Sequence, residues 1–203
     1  MYNKENFAVG KVASKDQYKQ NLNSIYCHPK FTVGCSGPAL MIVTTPKMDI
    51  EEMPSPQNEE LVDKFEPFIL DLNDAKKVEK SIPKKTSLPI LSHVAILKSE
   101  NGNAKFFTTD LQSQNITVSR KIDGEYPQFG KVFPKGKPIK TMRFDTRLLK
   151  TLIDAIESAQ GSPNTPHVDI DIYDNGNEGV VMFKSNNIDT GQRITALLMP
   201  LRK

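Results

Sequence analysis

Three carboxylates, Asp169, Asp171 and Asp174, fall in the run DIDIYD and are the residues of this chain whose types and spacing first suggest chemistry. Alternate residues of a strand share a face, so Asp169 and Asp171, with Asp174 in the turn that follows, could hold a hard divalent cation. That arrangement would belong to a metal-dependent nucleic-acid enzyme. The same run alternates Val168, Ile170 and Ile172 with the acids, which is the pattern of a half-buried strand with no metal at all. Other catalytic constellations are weaker. Gly34-Cys35-Ser36-Gly37 is one residue short of a nucleophile elbow and turns toward another strand rather than a helix. His28, His93 and His167 lack zinc-ligand spacing, and Cys27, His28 and Cys35 lack a fourth ligand. No glycine-rich phosphate loop precedes a helix. The residues point to a protein that is not an enzyme and needs no metal or cofactor.

A different chemistry is carried by cations in helical register. Leu72, Ala75, Val78 and Ile82 form an apolar stripe with Lys76, Lys77 and Lys80 opposite it, and Pro83 stops the helix. Residues Thr146 to Ala159 read as a second helix, capped by Asp145 or Thr146. Its apolar face is Leu148, Leu149, Leu152, Ile153 and Ile156, with Arg147 and Lys150 off that face. A further helix is expected from Ser14, whose hydroxyl and the Gln17 amide make a capping box. It would place Tyr18, Leu22 and Ile25 on one face and Lys15 and Lys19 elsewhere, and end at His28-Pro29. Lysines opposite an apolar stripe are either a solvated helix face or a surface for phosphates.

The elements that position these helices are strands. Phe7 to Ala13, Phe65 to Leu70 and Ile139 to Phe144 each read as a strand before a helix. After the helices come Phe31 to Cys35 and Ala39 to Thr45, a hairpin around Ser36-Gly37-Pro38. Leu88 to Leu97, Lys105 to Asp110 and Asn115 to Ile122 follow the second helix, with a turn at Asn101-Gly102-Asn103. Val168 to Ile172, Gly179 to Lys184 and Arg193 to Met199 follow the last. The order strand, helix, strands therefore recurs over roughly residues 7 to 57, 65 to 122 and 139 to 200, an α+β organisation with antiparallel sheets. Residues 49 to 60 lose both periodicities and gain prolines and acids, so a linker is expected near 58 to 64, dividing a half unit over 1 to 57 from a domain over 65 to 203. Within that domain 123 to 138 joins two units, and the stretch DGEYPQFGKVFP is an ordered connection whose Tyr126, Phe129 and Phe133 must pack on something.

Composition fits a globular chain: of 203 residues, 37% are hydrophobic and 25% charged, enough to build one or two cores. The balance of 27 basic to 24 acidic residues makes the placement of lysines matter more than their number. Two cysteines, Cys27 and Cys35, read as buried thiols of a reducing compartment. The N-terminus has no apolar signal region and no window approaches the ~18–20 apolar residues of a membrane span. A cytoplasmic protein is expected, with no membrane partner.

Four stretches in order carry a resemblance. IPKKTSLPILSHVAI from Ile82, TTDL from Thr108, DGEYPQFGKVFPK from Asp123 and the terminal LLMPLRK from Leu197 resemble the bacterial sliding clamps, the β subunits of replicative DNA polymerase. The resemblance covers residues 65 to 203 and, more faintly, 7 to 57. It departs from the family at Leu111-Gln112-Ser113, at Gln128 and at Lys203. It implies a clamp fold, with helices on the inside of a ring of about a dozen strand-helix-strands units and sheets outside, so that about four copies of a three-unit chain, or about six if only two units hold, would close it. It implies that the chain is a polymerase processivity factor, a homo-oligomer around duplex DNA held without sequence preference by Lys15, Lys19, Lys76, Lys77, Lys80, Arg147 and Lys150. It also implies a pocket for short apolar peptides at Leu111, Pro127, Val132, Leu197 and Met199, and a replicative polymerase and a clamp loader as partners. The alternative within the same fold is an adaptor or decoy that binds clamp-interacting peptides, or another clamp, without forming a ring.

Overall fold

The computed structural model of the protein describes residues 1–16, 18–19, 21–84, 86, 88–99, 102–134, 136–161, 163–173 and 179–201. Gln17 of the expected capping box, Asn101 of the expected turn and Asp174 lie outside them, as do Lys135, Arg202 and Lys203. The chain separates into two compact units, Met1–Phe133 and Pro134–Lys203.

The first unit starts with β1 (Tyr2–Asn3), α1 (Lys4–Phe7) and a 3₁₀ turn over Ala8–Lys11. This replaces the strand expected from Phe7 to Ala13. The cause is a reciprocal cap: the Asn3 side chain accepts from the Asn6 N–H at 3.3 Å, and the Asn6 side chain accepts from the Asn3 N–H at 3.0 Å. Asn6 is fully buried, and its amide donates to the Val43 and Thr44 carbonyls, both at 3.2 Å, which ties α1 to the sheet behind it.

The helix expected from Ser14 does not form. The described residues 14–16, 18–19 and 21–23 are non-helical, with the Ser14 and Asp16 side chains accepting from the Asp16 and Tyr18 backbone N–H groups. Residues Ser24–His28 are strand β2. Ile25 and Cys27 pair there with strands on both sides and are fully buried, which suits a β-branched residue after a turn containing Asn21 and Asn23. Lys15 and Lys19 accordingly sit on a turn and not on a helix.

Strands β3 (Phe31–Cys35) and β4 (Leu40–Thr44) form the expected hairpin. Gly34 lies so close to the 3₁₀ turn that a Cβ there would stand 2.0 Å from the Val9 carbonyl oxygen. That close approach is the reason for a glycine in the Gly34-Cys35-Ser36-Gly37 run. Cys27 and Cys35 are free and buried, and burial pushes the Cys27 thiol well above its ordinary range. The expected linker is partly ordered: Ile50–Glu52 form a 3₁₀ turn, Met53 is buried in the core, and Leu61–Val62 form strand β5, paired with Leu97 and Ile96.

Next come β6 (Phe68–Asp71), α2 (Leu72–Ser81), β7 (His93–Leu97), β8 (Asn103–Thr109) and β9 (Gln114–Arg120). The pairing between the two halves is reciprocal. β6 adds to β2, giving the order β4-β3-β2-β6, while β1 adds to β7, giving β1-β7-β8-β9. One core unites them, with Tyr2, Val9 and Ile25 from the first half against Leu70, Val78, Val94 and Phe106 from the second. The connection after β9 packs on the opposite face of the first sheet: the Tyr126 ring stacks on Tyr26 at 5.3 Å and its hydroxyl donates to the Val33 carbonyl. Phe129 joins that cluster, but Phe133 is half exposed and does not.

The second unit contains α3 (Thr146–Ala159) and an antiparallel sheet in the order β10 (Asp169–Ile172), β11 (Val181–Asn186), β12 (Arg193–Leu198). Its core is small: Ile156, Val181, Phe183 and Leu198 are buried. The strand expected at Ile139 to Phe144 is not formed, since a strand needs an edge to pair with and, among the described residues, this segment makes one backbone bond, Leu201 N–H to the Arg143 carbonyl at 2.7 Å.

Candidate functional site

Helix α2 is placed by its N-cap. The Asp71 carboxylate accepts from the Asn73 N–H at 2.8 Å and the Asp74 N–H at 3.4 Å, satisfying two donors that a helix start leaves unpaired. Leu72, Ala75 and Val78 are buried, which turns Asn73, Lys76, Lys77 and Lys80 to solvent as one face. The lysines are not equivalent. Lys77 is bound to Asp74 at 2.7 Å, whereas Lys76 and Lys80 have no ion pair among the described residues. Burial acts to raise the Asp74 carboxyl, but the Lys77 ammonium and the Ser119 hydroxyl together outweigh it and the net shift is downward.

Helix α3 carries its cations differently. Asp145 caps it and grips Arg147 through two hydrogen bonds, Nε to Oδ1 at 3.2 Å and Nη2 to Oδ2 at 2.8 Å. The Arg147 guanidinium and backbone N–H hold the Asp145 carboxyl below its ordinary value. Lys150 is bound to Asp154 at 2.6 Å, one turn on. Both α3 cations are exposed and engaged. On the turn before β2, Lys19 stands 3.9 Å from Asp16, and Lys15 is exposed without an ion pair among the described residues. The helical start of the first unit carries two exposed cations that pattern reading missed, Lys4 and Lys11. The Asn3 and Asn6 pair was the available signal for that helix.

Each residue expected to receive peptides is exposed. Leu111 sits in the β8–β9 turn at φ 73°, a left-handed conformation held because the Thr109 hydroxyl accepts its N–H and Asp110 accepts those of Gln112 and Ser113. Pro127 and Val132 lie on the outside of the connection that Tyr126 anchors. In the second unit Leu197 and Met199 alternate with the buried Leu198, so both leave the core face. Core packing therefore does not account for these five apolar side chains.

Of the DIDIYD carboxylates, Asp174 lies outside the described residues, and Asp169 and Asp171 are both on β10. Asp171 is bound to the Lys184 ammonium, which lowers its carboxyl, and no cluster of three His, Cys, Asp or Glu able to hold an ion occurs among the described residues.

No family model and no curated protein matches the chain by sequence. Solved structures do match by fold. The Bacillus subtilis DNA polymerase sliding clamp superposes with a TM-score of 0.64 over 98% of this chain and 48% of that one, at 12% identity. A Pseudomonas aeruginosa clamp, DNA polymerase III subunit β bound to griselimycin, gives 0.69 over 98% and 49%, at 13% identity. This is the sliding-clamp fold. The Helicobacter pylori β clamp bound to a DNA ligase peptide gives 0.62 over 97% and 47%, at 14% identity. The chain thus spans about half the length of the clamps it matches. The two strand-helix-strands halves of the first unit and the helix-strands half of the second, with antiparallel sheets, fit the clamp fold. No helix of the described residues is long and apolar enough to cross a membrane.

Proposed function

We propose that the protein is a DNA sliding clamp, a processivity factor that self-associates around duplex DNA and tethers a replicative polymerase through apolar peptides. The observation that carries this reading is the clamp fold over nearly the whole chain, combined with lysines on the face of α2 that its core does not use. Cations on such a face hold phosphates loosely and without regard to sequence. Lys76 and Lys80 would carry most of the contact, with Lys15, Lys19, Lys77, Arg147 and Lys150 adding what their acidic neighbours leave. Leu111, Pro127, Val132, Leu197 and Met199 are proposed to receive peptides, as exposed apolar groups able to repack around different side chains. No catalytic group or cofactor enters this role, and placement in the cytoplasm with a clamp loader as partner belongs to the same proposal.

The test is topological. A clamp is retained on nicked circular DNA after loading and is lost when the circle is cut once, whereas an ordinary DNA-binding protein treats both alike. Equal retention on the two forms refutes encirclement. Peptide binding with no retention on either form supports the adaptor reading.

A further inference from the structure

The three strand-helix-strands halves are not in the same state. In the first unit each half receives a strand from the other: β6 pairs with β2 and β1 with β7. The strand that receives is in each case the first one after the helix, and the strand that gives ends at the residue capping the helix, Asp71 or Asn3. The half in the second unit has the helix and the strands after it, and the segment before the helix is unpaired as a strand among the described residues. Asp145 caps α3 as Asp71 caps α2, 74 residues earlier, and His167-Val168 repeats His93-Val94 at the same separation. The backbone bond from Leu201 N–H to Arg143 matches that from Ile122 N–H to Ile69, two residues before the cap in both halves.

What differs is burial. Val94 and Ile96 of β7 are 0% and 4% exposed, and Ile25 of β2 is 0%. Their counterpart β10 is an edge, with Ile170 at 55% and Ile172 at 56% exposed. Leu149 and Leu152 of α3, the counterparts of the buried Ala75 and Val78, are only half-buried. An open apolar trough remains between α3 and β12, lined by Leu148, Leu152, Ala155, Ile194 and Ala196.

We propose that this half pairs with the same half of a second copy of the chain, residues 142–145 of each adding to β10 of the other. The register follows from the first unit, where Asn3 opposes His93, Tyr2 opposes Val94 and Asp71 opposes Ser24. Transferred by the 74-residue repeat, Asp145 stands opposite His167, Phe144 opposite Val168, Arg143 opposite Asp169 and Met142 opposite Ile170. The charges complement one another, and the two-fold symmetry of such a pair makes each contact occur twice. Arg143 and Asp169 are also exposed charges without an ion pair among the described residues, whereas Asp171 is taken by Lys184. A second copy is thus the partner that this edge fits. The inference deepens the self-association in the proposed function but rests on strand pairing alone, not on DNA.

The experiment uses the full chain in two single variants, Arg143→Cys and Asp169→Cys, one enlarged by a tag, treated with a short bis-maleimide. Both positions are exposed, and native Cys27 and Cys35 are buried. The expected result is a mixed crosslinked dimer only when the two variants are combined, together with a doubled mass by light scattering, or a multiple of it, for the wild type. Arg143→Asp should lower dimer formation at least tenfold, and adding Asp169→Arg should restore it. A monomer at all concentrations, or an oligomer without the mixed crosslink, overturns the pairing. DNA retention measured on the same samples separates the two ideas: retention without the crosslink refutes only this interface, and the crosslink without retention refutes only the clamp role.

Discussion

The lysines of α2 allow the DNA reading to be put in numbers. Lys76 and Lys80 have no ion pair among the described residues, while Arg147 and Lys150 of α3 are engaged by Asp145 and Asp154 at 2.8 and 2.6 Å. A cation that must leave a carboxylate to meet a phosphate gains less than one that is free. Each phosphate neutralised on a duplex contributes about 0.9 to the slope of log affinity against log salt. Removing two such contacts per protomer, as in Lys76→Gln with Lys80→Gln, should flatten that slope by about 1.8. Over a fourfold rise in salt, from about 50 to 200 mM, the wild type then loses about 12-fold more affinity than the variant does. The assay is fluorescence anisotropy on a labelled linear duplex across that range. Arg147→Gln with Lys150→Gln should flatten the slope by less than half as much. Equal slopes for the two double variants, or an unchanged slope for the α2 pair, refute the reasoning from ion pairing.

Other outcomes follow from single contacts. Gly34→Ala puts a Cβ 2.0 Å from the Val9 carbonyl oxygen, so it should destabilise by about 1–3 kcal/mol or more, whereas Gly130→Ala, which meets nothing, should melt with the wild type. Asp74 has a depressed carboxyl in the folded state, so its contribution is complete above the ordinary value of 3.8 and is lost as pH falls through the folded value. Acid titration of stability should therefore be shallower in Asp74→Asn. Leu197→Ser with Met199→Ser should weaken capture of a short apolar peptide about tenfold or more, yet leave the melting temperature within about 2 °C because both side chains are exposed.

Much of this fold could be read before seeing it, and the failures have particular causes. Helix α3 matches its expected bounds because a wide apolar face, a capping aspartate and fourteen residues agree. The first helix was misplaced because Tyr18, Leu22 and Ile25 satisfy a helical spacing although Leu22 packs from a turn and Ile25 from a strand. Its true position, four residues from Lys4, is too short to leave a periodic trace and depends on an Asn3–Asn6 cap. Ile139 to Phe144 has strand composition, but pairing is a property of two segments and not of one. For the candidate site, the stripe expected opposite Lys15 and Lys19 does not form, but the exposure of the α2 and α3 cations was legible from the stripes opposite them. Which lysines are free was not, because Asp74 and Asp154 engage their partners through side-chain geometry that spacing alone leaves open.

The crossed strands of the first unit also govern how it comes into being. β1 leaves the ribosome long before the edge it joins, which lies at residues 93 and 94. At ~5–20 residues per second the nascent chain waits roughly 5–20 s for that partner. β2 waits in the same way for β6. Neither half can finish alone, so their folding is a single late event with long loops to close, and the receiving edges stay open until then. The early chain is therefore the stage at which chaperone protection matters most, and slowing translation between the halves should cost more folded protein than slowing it after residue 133.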